Sequence, residues 1–247
     1  MVDYKIYYMQ FNCVKIKELL KKENPIIIEI GSHKGFETIK LLNEFKDLNI
    51  YCFEPDPRCI KAFKSTIKDK RCTLIEMAVS DRNGKTILNM SGGYHPGKLS
   101  RLYLLLKTLG LINLFTPINK KEEWDFSSSI KTSISNSKKY PWLNFDKITE
   151  VNTITLDTWI KQENIEIIDL AWVDAQGAEK DIINGSINAL KIIRYFFTEY
   201  GETDTYPDSL TRNETIDLLK KYNFEIISKY SSKGKRGDLL FKNKFYS

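Results

Sequence analysis

The stretch Pro25-Ile26-Ile27-Ile28-Glu29-Ile30-Gly31-Ser32-His33-Lys34-Gly35-Phe36 constrains the fold of this chain more than any other. A β-branched run that stays apolar up to an acidic residue reads as a strand buried on both faces. Gly31 and Gly35 follow, where the backbone must turn sharply and can approach a ligand closely. A helical pattern then runs from Gly35 to Lys46, with Phe36, Ile39, Leu42 and Phe45 on one face. Its first N–H groups lack helical partners and face whatever lies at the strand end. Strand, glycine loop and helix start together form a cradle for a small ligand.

The same alternation recurs along the chain. Residues 12–22 carry Val14, Ile16, Leu19 and Leu20 among lysines, an amphipathic helix that Asn24-Pro25 breaks. Asn49 to Phe53 is a second strand and ends in Glu54-Pro55-Asp56-Pro57; the prolines stiffen the turn and start a helix that buries Ile60, Phe63 and Ile67. Cys72 to Met77 is a third strand, followed by Ala78-Val79-Ser80-Asp81, a turn at Asn83-Gly84 and a strand from Lys85 to Asn89, which together read as a hairpin. Regularity returns at an alternating strand, Glu150 to Leu156, with Asp157 as a helix N-cap. Ile165 to Val173 is a buried strand ending in Asp174-Ala175-Gln176-Gly177-Ala178-Glu179, and the helix beyond stops near Gly185. Ile192 to Glu199 is a fifth parallel strand, Thr211 to Tyr222 a helix, and Phe224 to Lys229 and Asp238 to Lys242 the closing strands. Strands alternating with helices make a doubly wound α/β domain with a mostly parallel sheet.

Residues 91–146 depart from this rhythm and are read as an insertion, a lid or a partner-facing surface. The insertion opens on a glycine loop containing His95 and continues as an apolar stretch, 99–118, interrupted by Arg101, Lys107, Gly110 and Pro117. That stretch falls short of a transmembrane span, which leaves peripheral membrane contact or a homodimer contact as its other readings. The organisation expected is a helical extension over 1–24 and one domain over 25–247. A hydrophobic content of 42% is enough for such a core. Met1 to Gln10 carries Asp3 and Lys5 and no long apolar core, so no secretory leader is expected, and the four cysteines show no metal-ligand spacing. Reduced thiols and a cytoplasmic setting follow as expectations. The net charge of +6 is a mild excess of lysine-rich surface and does not point to nucleic acid.

In doubly wound sheets ligands bind at the carboxyl ends of the strands. Here those ends carry Glu29 with Gly31, then Glu54, Ser80 with Asp81, Asp174, and Glu199. A nicotinamide site wants Gly-x-Gly-x-x-Gly for its pyrophosphate, and the middle glycine is missing. An acidic strand end suits a cofactor with an amino group, a cationic centre and a ribose but no phosphate. S-adenosylmethionine has those features. Glu29 would lie near its ammonium, Glu54 would accept from the ribose diol at the expected interval of about 20 residues after the loop, and Ala78, Val79, Ser80 and Asp81 would flank adenine. Gly31, Ser32, His33, Gly35, Phe36, Pro55, Asp174 and Ala175 complete the cofactor-binding set.

Four segments resemble the FkbM-type S-adenosylmethionine-dependent methyltransferases, in the Rossmann-like class I group, over roughly residues 25–242: Glu29 to Gly35, Phe53 to Pro57, Ala78 to Gly84, and Thr155-Leu156-Asp157 leading to Asp174–Glu179. The resemblance implies a seven-stranded, mostly parallel Rossmann-like sheet with helices on both faces. It also implies methylation of a hydroxyl on a sugar, glycan or small metabolite. The chain departs from the family's Lys-x-Asp-x-Glu-Gly pattern, with Trp172 at the lysine position and Gln176 at the glutamate position. A hydroxyl acceptor loses its proton near the transition state, so a base within reach helps. Asp174 is the first candidate, with cofactor positioning as its plainer role. Glu199 is the second, with a structural lysine pair as the alternative, and His95 is the only histidine of the insertion. Asp174, Glu179 and Glu199 could face a divalent cation, but no spacing demands one, and no metal is expected. Two other readings stay open at this level: a binding module that keeps the fold without the reaction, and a nicotinamide-dependent oxidoreductase. Nucleic-acid methylation is less favoured, because the Asn/Asp-Pro-Pro-Tyr/Phe motif is absent.

Overall fold

The computed structural model describes residues 13–94, 123–137, 139–201, 205–231 and 236–246. The first helix, α1 (Cys13–Leu20), leads into β1 (Ile26–Ile30), α2 (Phe36–Glu44), β2 (Asn49–Phe53), α3 (Pro57–Thr66) and β3 (Cys72–Ile75). Next come β4 (Ala78–Val79), β5 (Gly84–Gly92), β6 (Asn144–Ile154), α4 (Leu156–Gln162), β7 (Ile168–Val173), α5 (Glu179–Asn184) and α6 (Ala189–Ile192). The chain closes with β8 (Ile193–Tyr200), α7 (Arg212–Lys221), β9 (Phe224–Ser231) and β10 (Gly237–Asn243).

Seven strands form the main sheet in the order β3-β2-β1-β7-β8-β10-β9. β1 pairs in parallel with β2 and β7, β2 with β3, and β7 with β8, whereas β10 runs antiparallel between β8 and β9. The order reverses at β1 and β7, so the crevice outside their carboxyl ends is where a ligand belongs. Side-chain alternation along each strand feeds two cores. On one face Ile27, Ile50, Cys52, Leu170, Trp172 and Phe197 pack under α1, α2 and α3 through Ile16, Leu41 and Phe63. On the other, Ile28, Ile30, Phe53, Val173 and Phe196 pack under α4 to α7 through Trp159, Ile182, Leu190 and Leu219. Burial on both faces explains why β1 and β7 are apolar except at Glu29 and Asp169, and Asp169 is buried against Lys22, Arg194 and the Ile26 N–H.

The expected hairpin is corrected. Asn83-Gly84 does turn the chain between β4 and β5, but those strands do not pair with each other, because β6 lies between them in a separate three-stranded sheet. β6 pairs in parallel with β4 and antiparallel with β5, with Leu88 opposite Thr149. Asn83 does not close a tight hairpin. Its Oδ1 accepts from Thr155 N at 2.9 Å, and its Nδ2 donates to Thr158 Oγ1 at 2.9 Å. The strand expected at 150–156 is also longer and ends earlier, since Leu156 already begins α4. The N-cap of α4 is Thr155, not Asp157. Asp157 instead caps α6, accepting from the backbone N–H groups of Asn188 and Ala189 at 2.8 Å each.

Candidate active site

The cradle begins where β1 ends. Gly31 and Gly35 have φ of +87° and +81°, and His33 between them has φ +50°. The Gly31 and Ser32 N–H groups both donate to Phe53 O, at 2.9 and 3.1 Å, which ties the loop to the end of β2. A Cβ on Gly31 would lie 1.9 Å from the Asp174 carbonyl oxygen, so glycine lets the β1 and β7 ends meet backbone to backbone. No side chain caps α2, whose N-cap is Gly35, so its first amides face the crevice without a side-chain acceptor.

Glu54 is buried at the end of β2. Its Oε2 accepts from His33 N at 2.7 Å and its Oε1 from Asp56 N at 2.8 Å. A carboxylate has about four acceptor positions, so one on each oxygen is left for further donors. Burial pushes the Glu54 carboxyl up to about 8, against the two backbone N–H groups that favour its charge. Glu29 is held differently. It turns beneath the loop, where Oε2 accepts from Thr38 Oγ1 of α2 at 2.5 Å, and burial pushes its pKa up to about 8.

A third group of acids lies across the crevice. Asp174 follows β7, and its Oδ1 accepts from Gln176 Nε2 at 2.6 Å. Glu199 on β8 stands opposite Asp238 on β10. Burial raises the pKa of Asp174, and raises those of Glu199 and Asp238, the latter to about 7; their mutual repulsion adds to this for Glu199 and Asp238, and Arg236 opposes it in all three. Glu179 belongs to the loop rather than to the crevice. Its Oε1 accepts from Ala175 N and Gly177 N at 3.1 and 3.3 Å, and burial pushes it up to about 7.

The segment 123–131 crosses all three groups, and nothing in its composition announced this. Asp125 accepts from or shares a proton with His33 Nε2 at 2.7 Å, and it pairs with the Lys34 ammonium at 2.7 Å. Phe126 stacks on the His33 ring at 4.1 Å between centroids, with Phe36 beside it. Ser128 Oγ donates to Asp56 Oδ2 at 2.8 Å, and Arg58 forks onto the same carboxylate. Ser129 Oγ donates to Gln176 O at 2.7 Å. This strap therefore joins the ends of β1, β2 and β7. Burial would raise the Asp56 and Asp125 pKa values, but Arg58 with Ser128, and His33 with Lys34, hold them below the usual carboxylate range. Among the described residues, His33, Cys59 and Asp125 bring three ligand-type atoms within 4.8 Å. Lys34 and His33 both pair with the Asp125 carboxylate, so this set ties the strap to the cradle loop as an ion-paired lock.

The remaining expected residues are spread more widely. Pro55 lines an open cleft of about 280 Å³ between α3 and the β5–β6 ribbon, shared with Ile60, Glu76, Lys85 and Val151. Ala78 and Val79 form β4, and a Cβ on Gly185 would touch Ser80 O. Ser80 N donates to Ile154 O and Ser80 Oγ faces Asp81, so the contacts of 78–81 run to β6 and the end of α5, not to the acids of the crevice. Trp172 lies in the core with its ring edge-on to Phe197, which explains why no lysine-like role is open to it. His95 and the stretch 99–118 lie outside the described residues.

The family model described as "Methyltransferase FkbM domain" matches residues 29–226, from Glu29 at the end of β1 past the ends of β2, β7 and β8. The chain belongs to the FkbM methyltransferase family. It is 32% identical over 230 residues to 2-O-methyltransferase NoeI of Sinorhizobium fredii, covering 93% of this chain and 84% of that protein. A shorter similarity, 28% over 90 residues (36% of this chain, 40% of the other), links it to tRNA (guanine-N(7)-)-methyltransferase of Staphylococcus haemolyticus. Among solved structures, precorrin-6Y C5,15-methyltransferase of Geobacter metallireducens superposes over 98% of this chain and 92% of that one, at 9% identity and a TM-score of 0.46. This FkbM-family chain is an S-adenosylmethionine-dependent methyltransferase, and the nicotinamide reading is set aside.

The residues present fit the cofactor. Ser32 Oγ and His33 Nδ1 are buried without a partner among the described residues, and both belong to the cradle loop. Buried polar atoms without partners are costly, and a polar ligand in the loop would satisfy them. Glu54 has the two free acceptor positions that a ribose diol needs, and the uncapped α2 terminus suits a carboxylate.

Proposed function

We propose that this FkbM-family enzyme methylates a hydroxyl group, on a sugar, glycan or other small hydroxylated metabolite. The observation that carries this reading is its 32% identity, over nearly the whole chain, to a protein named as a 2-O-methyltransferase. The acids of the crevice support it. A hydroxyl is a weak nucleophile until a base takes its proton, and Asp174 stands at the end of the central strand beside the cradle. S-adenosylmethionine supplies an electrophilic methyl group on a sulfonium that leaves as a neutral thioether. Glu54 and the β1–α2 loop hold the cofactor's ribose and amino-acid ends, Asp174 accepts the hydroxyl proton, and the strap keeps water from the reacting atoms. Alignment and proton removal are thus the protein's tasks. The four free thiols fit a reducing, cytoplasmic setting, and no helix among the described residues is long and apolar enough to cross a membrane.

The test is a methyl-transfer screen with isotopically labelled S-adenosylmethionine against mono- and oligosaccharides, hydroxylated metabolites, amines and transfer RNA. Label on a hydroxyl oxygen, located by NMR, is the expected result. Transfer only to nitrogen or to RNA would replace the reading, and cofactor binding with no transfer to any class would favour a module that has kept the fold without the reaction.

A further inference from the structure

Gln176 is built into the crevice more firmly than a loop residue needs to be. It holds φ at +52°, an uncommon conformation for a residue with a side chain, directly before Gly177. Its carbonyl accepts from Ser129 Oγ of the strap at 2.7 Å. Its Nε2 donates to Asp174 Oδ1 at 2.6 Å, and its Oε1 lies 3.0 Å from the hydroxyl of Tyr206. Tyr206 is buried, and Ser127 O, 2.7 Å from the same hydroxyl, shares its single proton. The direction of the amide follows from its partners. An ionised Asp174 only accepts, so in that state Nε2 faces Asp174, and Oε1 is left to the Tyr206 hydroxyl.

The surroundings of Asp174 make that donor consequential. Glu179 of α5, Glu199 of β8 and Asp238 of β10 each interact with it as like charges. Arg236, just before β10, and His33 when protonated act in the opposite sense, and Tyr206 is the remaining titratable group in this set. Gln176 is the neutral donor in direct contact with the carboxylate. A glutamate there would set a second carboxylate against Asp174, and a leucine would remove the donor while keeping comparable bulk.

We propose that Gln176 is a positioning residue for methyl transfer: its amide orients the Asp174 carboxylate and favours its ionised form, and Tyr206 anchors the far end of the amide. This rests on the reading of Asp174 as the base that receives the hydroxyl proton. Gln176 touches neither acceptor nor cofactor in this role; it acts through Asp174.

The experiment is a pH titration by NMR of the full-length protein carrying carboxyl-¹³C aspartate, with the Asp174 signal assigned by its loss in Asp174→Asn. Gln176→Glu is expected to raise the Asp174 midpoint by about one unit or more, and Gln176→Leu by a smaller amount. Tyr206→Phe keeps the ring packing and provides a variant that preserves the fold, with a smaller shift of the same sign. Affinity for S-adenosylhomocysteine should stay within about threefold in all three. With an acceptor from the hydroxyl screen, the acid limb of kcat/KM should move with the NMR midpoint. Unshifted midpoints together with lost turnover in Asp174→Asn overturn the proposal alone. Shifted midpoints with turnover intact in Asp174→Asn overturn the base reading, and the proposal with it.

Discussion

Glu54 serves the fold directly and is also the acid proposed for the ribose. Its two oxygens already hold the β1–α2 loop and the turn into α3 through His33 N and Asp56 N, and each oxygen keeps one further acceptor position. Glu54→Ala should weaken S-adenosylmethionine binding by roughly 1.5–3 kcal/mol, the scale of hydrogen bonds to a charged group. Calorimetry with S-adenosylmethionine and S-adenosylhomocysteine checks this, and unchanged affinity would remove Glu54 from the ribose site. Asp174 calls for a different readout. If it takes the hydroxyl proton, Asp174→Asn should reduce turnover by about two to four orders of magnitude, the usual scale of general base catalysis. Its cofactor affinity should change little. Equal losses of turnover and affinity would make Asp174 a cofactor-positioning group.

At the scale of elements, the strap 123–131 has one isolated β-bridge, Ser129 to Asn89 of β5, and is otherwise held by hydrogen bonds and ion pairs that reach three different strand ends. Asp125 is its central anchor, because it engages both His33 and Lys34. Asp125→Ala should increase amide exchange across 123–129 and weaken cofactor binding by about 1–2 kcal/mol, since the His33 ring loses the partner that fixes it against Phe126. Hydrogen exchange followed by mass spectrometry reports the first effect and calorimetry the second. Unaltered exchange would mean that the other anchors, Tyr206 on Ser127 O and the Asn89–Ser129 backbone bridge among them, hold the strap without Asp125. The caps work by the same long-range logic. Thr211 and Glu214 form a capping box within α7, whereas Asp157 caps a helix that begins 32 residues later.

For the whole molecule, the strand ends and the loops around them gather acids whose proton affinities burial raises. Glu29 and Glu54 rise from an ordinary 4.5 to about 8, and Glu179 and Asp238 to about 7. Between the ordinary and the raised values the folded protein binds more protons than the unfolded chain, so stability falls as pH rises through that window. Without cofactor, thermal unfolding should therefore occur at lower temperature near pH 8.5 than near pH 6. If Glu54 accepts from the ribose diol in its ionised form, S-adenosylhomocysteine should flatten that difference. Scanning calorimetry at both pH values, with and without the ligand, measures it. A midpoint that increases with pH in the unliganded protein would show that these carboxyls are ionised throughout.

Much of this architecture was legible in the sequence because it depends on local pattern. The apolar runs at 26–30 and 168–173 had to be strands buried on both faces, and the acids and glycines that end them had to lie together once a parallel sheet formed. Glu54, Gly31, His33 and Asp174 could be placed at one crevice for that reason. Partners chosen by packing were not legible, since nothing near a residue in the chain specifies what folds against it. The sheet in which β6 separates β4 from β5, the strap that brings Asp125 to His33 across 92 positions, and the contact of Tyr206 with Gln176 across 30 are of this kind. So is the fate of Trp172, whose place in the core was decided by Phe197 on the neighbouring strand. The sequence by itself determined the order of the strands and helices and the chemistry at the strand ends, because hydrophobic period and turn residues act over a few positions. Only the tertiary structure decided which donors, charges and rings surround each acid, because those contacts exist only once distant segments pack.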